Sequence, residues 1–248
     1  MNKSDNKFHT NSLIPDHAQI HQLNEIVPIS LQKSYTYSLE QLVRSSKKQE
    51  KEFHLSPFRL QQIRAILHNL DSDNDSSKYL ALQELACSKQ IEALRMIEEF
   101  LLFAHEDLRL WALLAHLQAK AGVLSTLLDE EQIVISSGLG GKDGLMRFMS
   151  YIVAQEKIDF EEYQHKLIIR ELKEQIEKRK GFLEKVEPYN RFIIYTFLFP
   201  LGLNPKETIS EVITECNNYG NFVSPKFSIT NIDILTEEKV KKELGNSI

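Results

Sequence analysis

Hydrophobic positions along this chain change their period near Asp129. Before it, apolar residues recur every three or four positions, as on helices that pack by one face; after it, period-two alternation enters, as on half-buried strands. Leu60, Ile63, Leu67 and Leu70 form one helical stripe behind Ser56-Pro57, a helix start with proline in the first turn. Ser38-Leu-Glu-Gln41 reads as a capping box opening an earlier helix. Three more helices are expected near 77–87, 89–103 and 107–121, the last closed by Gly122 as a C-terminal cap. Residues 1–36, polar and broken by Pro15 and Pro28, read as a flexible or partner-ordered leader, and the acidic, serine-rich stretch 71–77 as a linker.

After Asp129, the stretches 132–137 and 145–153 read as two strands paired as a hairpin. Asp159-Phe-Glu-Glu162 is a capping box for a helix reaching about Lys180. The aromatic-rich run 191–199 suits a central strand covered on both faces. Asn204-Pro205 starts a helix with Ile209, Val212, Ile213 and Cys216 inward. A last strand at 227–235 shifts its inward set near Thr230 or Asn231, which predicts a bulge, and Thr236 caps a short terminal helix. The expected class is α+β: a leader at 1–36, a helical-hairpin region at 37–128, and a ββαβαβ domain at 129–248. In that domain one mixed sheet carries both helices on one face, a ferredoxin-like layering with a rearranged order.

The stretch Glu92-Ala93-Leu94 through Asp107, Trp111 and Leu114-Ala115 to Gly122 resembles the junction between two tetratricopeptide repeats, and a HEAT-type hairpin fits about as well. His105 stands where the former repeat prefers proline and Gln118 where it prefers an aromatic. The resemblance covers about 77–122 and implies a stack of helical hairpins, not a chemistry.

Composition adds compartment and partners. No apolar run approaches the roughly 18 residues of a membrane span, and the first twenty residues lack the apolar core of a signal peptide, so a cytoplasmic location is expected. The two cysteines, Cys87 and Cys216, fall on apolar helical faces and read as small buried hydrophobes. The net charge of −5 conceals a basic cluster, Arg44, Lys47, Lys48 and Lys51. Glu50 and Glu52 dilute it and no aromatic is interleaved for base stacking, so it reads as a solvated helix face and nucleic acid is not an expected partner.

Four of the nine glycines, Gly138, Gly140, Gly141 and Gly144, crowd into seven residues where the period changes. With Ser136, Ser137 and Lys142 they form the candidate contact or anion loop, since consecutive amides beside a lysine can nest an anion. A Walker loop is excluded because Ser136 holds its first glycine position and Asp143 its Ser/Thr position; a dinucleotide fingerprint fails at Asp143. A turn or partner-contact loop is therefore favoured over a ligand loop. His17 and His21 have the i, i+4 spacing of metal ligands on a helix but no third ligand, His105 and His116 are eleven apart with no acidic residue to complete a site, and Ser136 and Ser137 lack a nucleophile elbow. No catalytic residue, metal or cofactor is assigned. Two functions follow: an interaction or adaptor protein with a protein partner, or a phosphate- or small-molecule-binding enzyme or sensor using the loop, recognisable if Lys142, the loop amides and Arg191 or the long helix converge on one concave site.

Overall fold

The computed structural model describes residues 19–48, 53–69, 75–130, 132–155 and 158–245. The fold is α+β. Helices α1 (Ile29–Lys48), α2 (Pro57–His68), α3 (Asp75–Cys87), α4 (Ile91–Leu101) and α5 (Glu106–Leu128) follow a short strand β1 (Gln19–Gln22). Strands β2 (Gln132–Ile135), β3 (Gly141–Lys142) and β4 (Leu145–Ala154) come next, then α6 (Glu162–Lys178), β5 (Phe182–Pro188), β6 (Phe192–Pro200), α7 (Pro205–Asn217), β7 (Val223–Thr230) and α8 (Glu237–Gly245).

The helical region differs from expectation at both ends. Residues 19–36 are not a leader: they supply β1 and the first turns of α1, and Leu23, Val27 and Tyr35 are buried in the helical core with Leu60, Ile63, Leu82, Ile97 and Trp111. Ser38 caps nothing; it lies inside α1 and donates its hydroxyl to Gln83 Oε1 at 2.9 Å, while the buried Gln83 amide donates to Tyr35 O at 3.0 Å. Gln118, polar where the repeat pattern wants an aromatic, accepts from Tyr35 Oη at 2.9 Å. This network ties α1 to α3 and α5 and satisfies each group that burial would otherwise penalise. Gly122 does not end its helix. It sits inside α5, where an added Cβ would come 3.2 Å from Lys89 Cγ, and the helix runs on to a left-handed Asp129. Of the expected 71–77 linker, Asp75–Ser77 form the first turn of α3 and the rest lies outside the described residues, as does Leu70.

In the second half, β4-α6-β5-β6-α7-β7 is the βαββαβ unit, and its strands lie in the order β7-β4-β6-β5 with every pair antiparallel. The sheet is thus not mixed; parallel pairing occurs in a separate two-stranded sheet, β1 with β2. Strand β5, absent from the expected order, carries Glu184, Lys185 and Glu187 among its apolar residues and breaks register between Leu183 and Lys185. Charge and a bulge protect this edge from further pairing, and they also erase the alternation that reveals a strand. The capping box of α6 uses Glu161 and Gln164, two residues beyond the expected pair. β7 stops at Thr230 without the expected bulge; the irregularity falls opposite Ile152 and Ala154 of β4.

Helices α6 and α7 cover one face of the sheet, burying Ile168, Leu172, Ile176, Ile209, Val212, Ile213 and Cys216 against Ile152, Ile193, Tyr195, Phe197 and Phe199. Helix α8 and Leu139 cover part of the other face, against Met149, Tyr151, Val153, Phe192 and Ile194. Among the described residues no helix is long and apolar enough to cross a membrane.

Candidate functional site

The expected hairpin between the 132–137 and 145–153 strands does not form. β2 pairs with β1, and the glycine-rich segment holds its own short strand, β3, which turns into β4 through Asp143-Gly144 with Lys142 opposite Leu145. Both turn residues have positive φ, 51° and 79°, as a two-residue primed turn requires. The other three glycines serve close approach. A Cβ on Gly138 would lie 1.7 Å from Ile232 O, on Gly140 (φ 67°) 2.6 Å from Glu25 O, and on Gly141 2.2 Å from Leu145 O.

The loop is therefore a junction of three chain segments. Leu139 N donates to Asn231 O at 3.1 Å, Gly140 N to Ser137 O at 3.2 Å, and Gly141 N to Leu23 O at 2.7 Å. With these amides engaged, an anion would have to compete against three carbonyls for them. Ser137 is buried and its hydroxyl donates to Gly140 O at 3.1 Å; Ser136 donates to Gln32 Oε1, and Gln32 Nε2 donates to Val27 O and Ser137 O. Lys142 is exposed on β3.

Arg191 does not join Lys142. Its carbonyl accepts from Ala154 N at one end of β4, whereas Lys142 pairs with Leu145 at the other. Ten residues of strand at about 3.3 Å each put roughly 30 Å between them. α6, the long helix, lies across the sheet on the opposite face from Leu139.

What the junction does build is one end of a groove on the partly covered sheet face, with a volume of about 360 Å³. Leu139, Met149 and Thr196 line it, with Ile26 from the segment before α1 and Ile234 from the segment before α8. Leu139 is 1% exposed, while Ile26 and Ile234 are 43% and 45% exposed, so a buried floor carries a solvent-facing apolar rim. Ile232 stands out at 52% two residues before Ile234. The charges beside the groove are paired. Arg147 Nη2 meets Glu184 Oε1 at 2.9 Å and its Nη1 donates to Leu139 O at 2.9 Å, and Lys185 meets Glu187 at 2.9 Å. Hydrogen bonding to Glu184 is the main cause holding the Arg147 guanidinium above its ordinary pKa, so it stays charged.

No family model and no curated protein matches the chain. Among solved structures it is similar to a REP-associated tyrosine transposase bound to a REP hairpin, at 9% identity and a TM-score of 0.31. The match covers 40% of this chain and spans 61% of that one, and at such a score it carries no argument.

The remaining expected groups are dispersed. His21 belongs to a strand, so the helical i, i+4 ligand geometry is lost; its Nε2 lies 2.7 Å from Gln132 Oε1, and His17 lies outside the described residues. His116 faces Glu98 at 3.2 Å. Burial pushes the Cys87 thiol up to about 11 and the Cys216 thiol up to about 12, which suits packing and not nucleophilic attack. In the basic cluster, Arg44 pairs with Glu40 and Lys51 lies outside the described residues. Sequence reasoning missed the groove because its residues come from six separate segments. The one available signal was the pair Ile232 and Ile234, apolar residues placed inside an assumed strand.

Proposed function

We propose that this chain is a cytoplasmic interaction or adaptor protein without catalytic activity of its own, and that it takes an apolar anchor of a protein partner into the groove between Ile26 and Ile234. One observation carries the reading: an apolar floor on a half-covered sheet face, open between two exposed isoleucines and bordered by charges already paired to one another. That is the anatomy of an interface, with an apolar centre and a polar rim. Its size suits one or two inserted side chains of the kind that dominate binding energy. β-strand addition at β5 is disfavoured by its charges and by Pro188. The glycine loop contributes by fixing Leu139 in the floor and not by binding an anion, because its amides are engaged.

The test is affinity purification of the tagged chain from its native cells, beside Ile26→Glu and Ile234→Glu. Both side chains are exposed, so stability should stay within about 0.5 kcal/mol of the parent. Partners recovered by the parent should be lost from both variants. Recovery of the same partners by parent and variants would refute the groove as the contact.

A further inference from the structure

The turn between β5 and β6 presents an arginine that has no side-chain partner among the described residues. Arg191 is half-buried, its Nε is shut off from solvent without a hydrogen-bond partner, and no ion pair reaches its guanidinium among the described residues. A buried N–H donor without an acceptor is costly, and a bound anion that accepts from it removes that cost. The turn that carries it is held rigidly. Tyr189 O lies 3.0 Å from His165 Nε2 of α6, Asn190 O accepts from Phe160 N at 2.7 Å, and Arg191 O accepts from Ala154 N at 2.8 Å. Three consecutive carbonyls are thus tied to other segments, which presets the backbone from which the arginine projects.

Arg191 lines a cavity of about 580 Å³ between this turn and α8, within the range of small-molecule sites. Tyr189, whose ring stacks on Phe192 at 4.8 Å between centroids, lies along one side and Leu244 of α8 along another. The other charges there are engaged: Lys241 pairs with Glu237, and Asp159 accepts from Asn190 Nδ2 at 3.4 Å. Asn190 is neutral, so the Asp159 carboxylate balances Arg191 and the lining sums to zero, two cations against two carboxylates; a monoanion on the Arg191 fork meets less repulsion there than a dianion.

We infer that this cavity binds a small organic monocarboxylate, its carboxylate on Arg191 and its flat or apolar body against Tyr189 and Leu244. A planar carboxylate matches the guanidinium fork, and the ring supplies the stacking surface. The cavity shares Tyr189 and Glu237 with the protein-binding groove, but Arg191 lines the cavity alone and Ile26 and Ile234 the groove alone, so variants at those positions test the two separately.

Indole-3-acetate, its neutral amide and inorganic phosphate serve as probes against the full chain, by calorimetry and by NMR of the Arg191 Nε–H and Tyr189 amide signals. Indole-3-acetate should shift both signals saturably, while the amide and phosphate bind roughly tenfold more weakly or worse. Arg191→Gln should weaken the carboxylate by a similar factor, with Arg191→Lys in between because it keeps charge but loses the fork. Three outcomes overturn the inference: no saturable shift, phosphate binding as tightly as the carboxylate, or full affinity in Arg191→Gln. If Arg191→Gln does not fold, the wild-type titration decides alone, and shifts near Trp111 in place of Arg191 count against the site.

Discussion

Replacing Gly138 by alanine adds one carbon, and the geometry says where it lands: 1.7 Å from Ile232 O, 2.5 Å from Ile232 C and 2.9 Å from its Cα. All three are backbone atoms, so no side chain can swing aside, and the 231–232 segment has to move. That movement breaks the adjacent bond from Leu139 N to Asn231 O and lifts Leu139 from the floor of the sheet core. Overpacking costs about 1–3 kcal/mol. The lost buried hydrogen bond costs about 1–3 kcal/mol more. At about 2–4 °C per kcal/mol for a chain of this size, Tm should fall by roughly 10 °C. Gly144→Ala is the internal control: its φ is 79° but nothing lies within 4 Å, leaving left-handed strain of about 1–2 kcal/mol. Gly140→Val should be at least as damaging as Gly138→Ala, since it joins positive φ to two carbonyls within 2.7 Å, and Lys142→Ala should be silent. Thermal melts of the four variants, with hydrogen exchange at the Leu139 amide, check the ordering. A Gly138→Ala protein that melts with or above Gly144→Ala would refute the junction as a close-packed backbone contact.

Trp111→Ala should cost about 3–5 kcal/mol, because the indole packs against Tyr35 and Tyr79 at 5.0 and 4.8 Å and donates from Nε1 to Tyr79 O; a parental urea midpoint would show that the helical core does not depend on it. Cys87 and Cys216 should resist a thiol reagent at pH 8 in the native state, since burial raises both thiols, to about 11 and about 12. The same shifts set a sign for stability. Between the unfolded value near 9 and these raised values the native state holds more protons than the unfolded chain, so the thiols' contribution to stability is constant below about pH 9 and is lost as pH rises toward 12. Urea midpoints unchanged from pH 8 to 11, or rapid native labelling at pH 8, would contradict this.

Elements that pack by a single stripe were legible in the sequence, because one face of a helix has one thing to do. Ile209, Val212, Ile213 and Cys216 are buried on α7 as their spacing requires, and Leu60, Ile63 and Leu67 likewise on α2. The central strand at 192–200 declared itself by being apolar on both faces, and both are covered. What escaped depends on partners far away in the chain. β1 is four residues, Gln19-Ile-His-Gln22, that form a strand because β2 lies beside them 113 positions later. β5 is an edge strand whose charges serve protection and so resemble a solvated loop. Without β5, the βαββαβ order could not be assembled, and a ferredoxin-like layering was expected in a rearranged sequence that the chain does not use. The Asp143-Gly144 turn was available: Asp-Gly before an alternating run is a strong hairpin signal. Reading the seven residues as one loop hid it.

The glycine cluster shows why a site can be located from sequence while its purpose is not. Gly138, Gly140 and Gly141 lack side chains because something must come within about 3 Å of where a Cβ would be, and both a phosphate cradle and a crossing chain make that demand. The two differ in what happens to the amides. In a cradle they converge on empty space; here Leu139, Gly140 and Gly141 each donate to a carbonyl, two of them belonging to segments 118 residues upstream and 92 downstream. No local pattern encodes those carbonyls, since Leu23 and Asn231 carry no mark of the role. Arg191 is the converse case. It looks like an unremarkable charge at the head of a strand, and only the fold shows that the turn around it is pinned on three sides while its Nε is left without a partner among the described residues. Glycines found packed and an arginine found unpaired move the search for ligands from the loop that looked reactive to the one that did not.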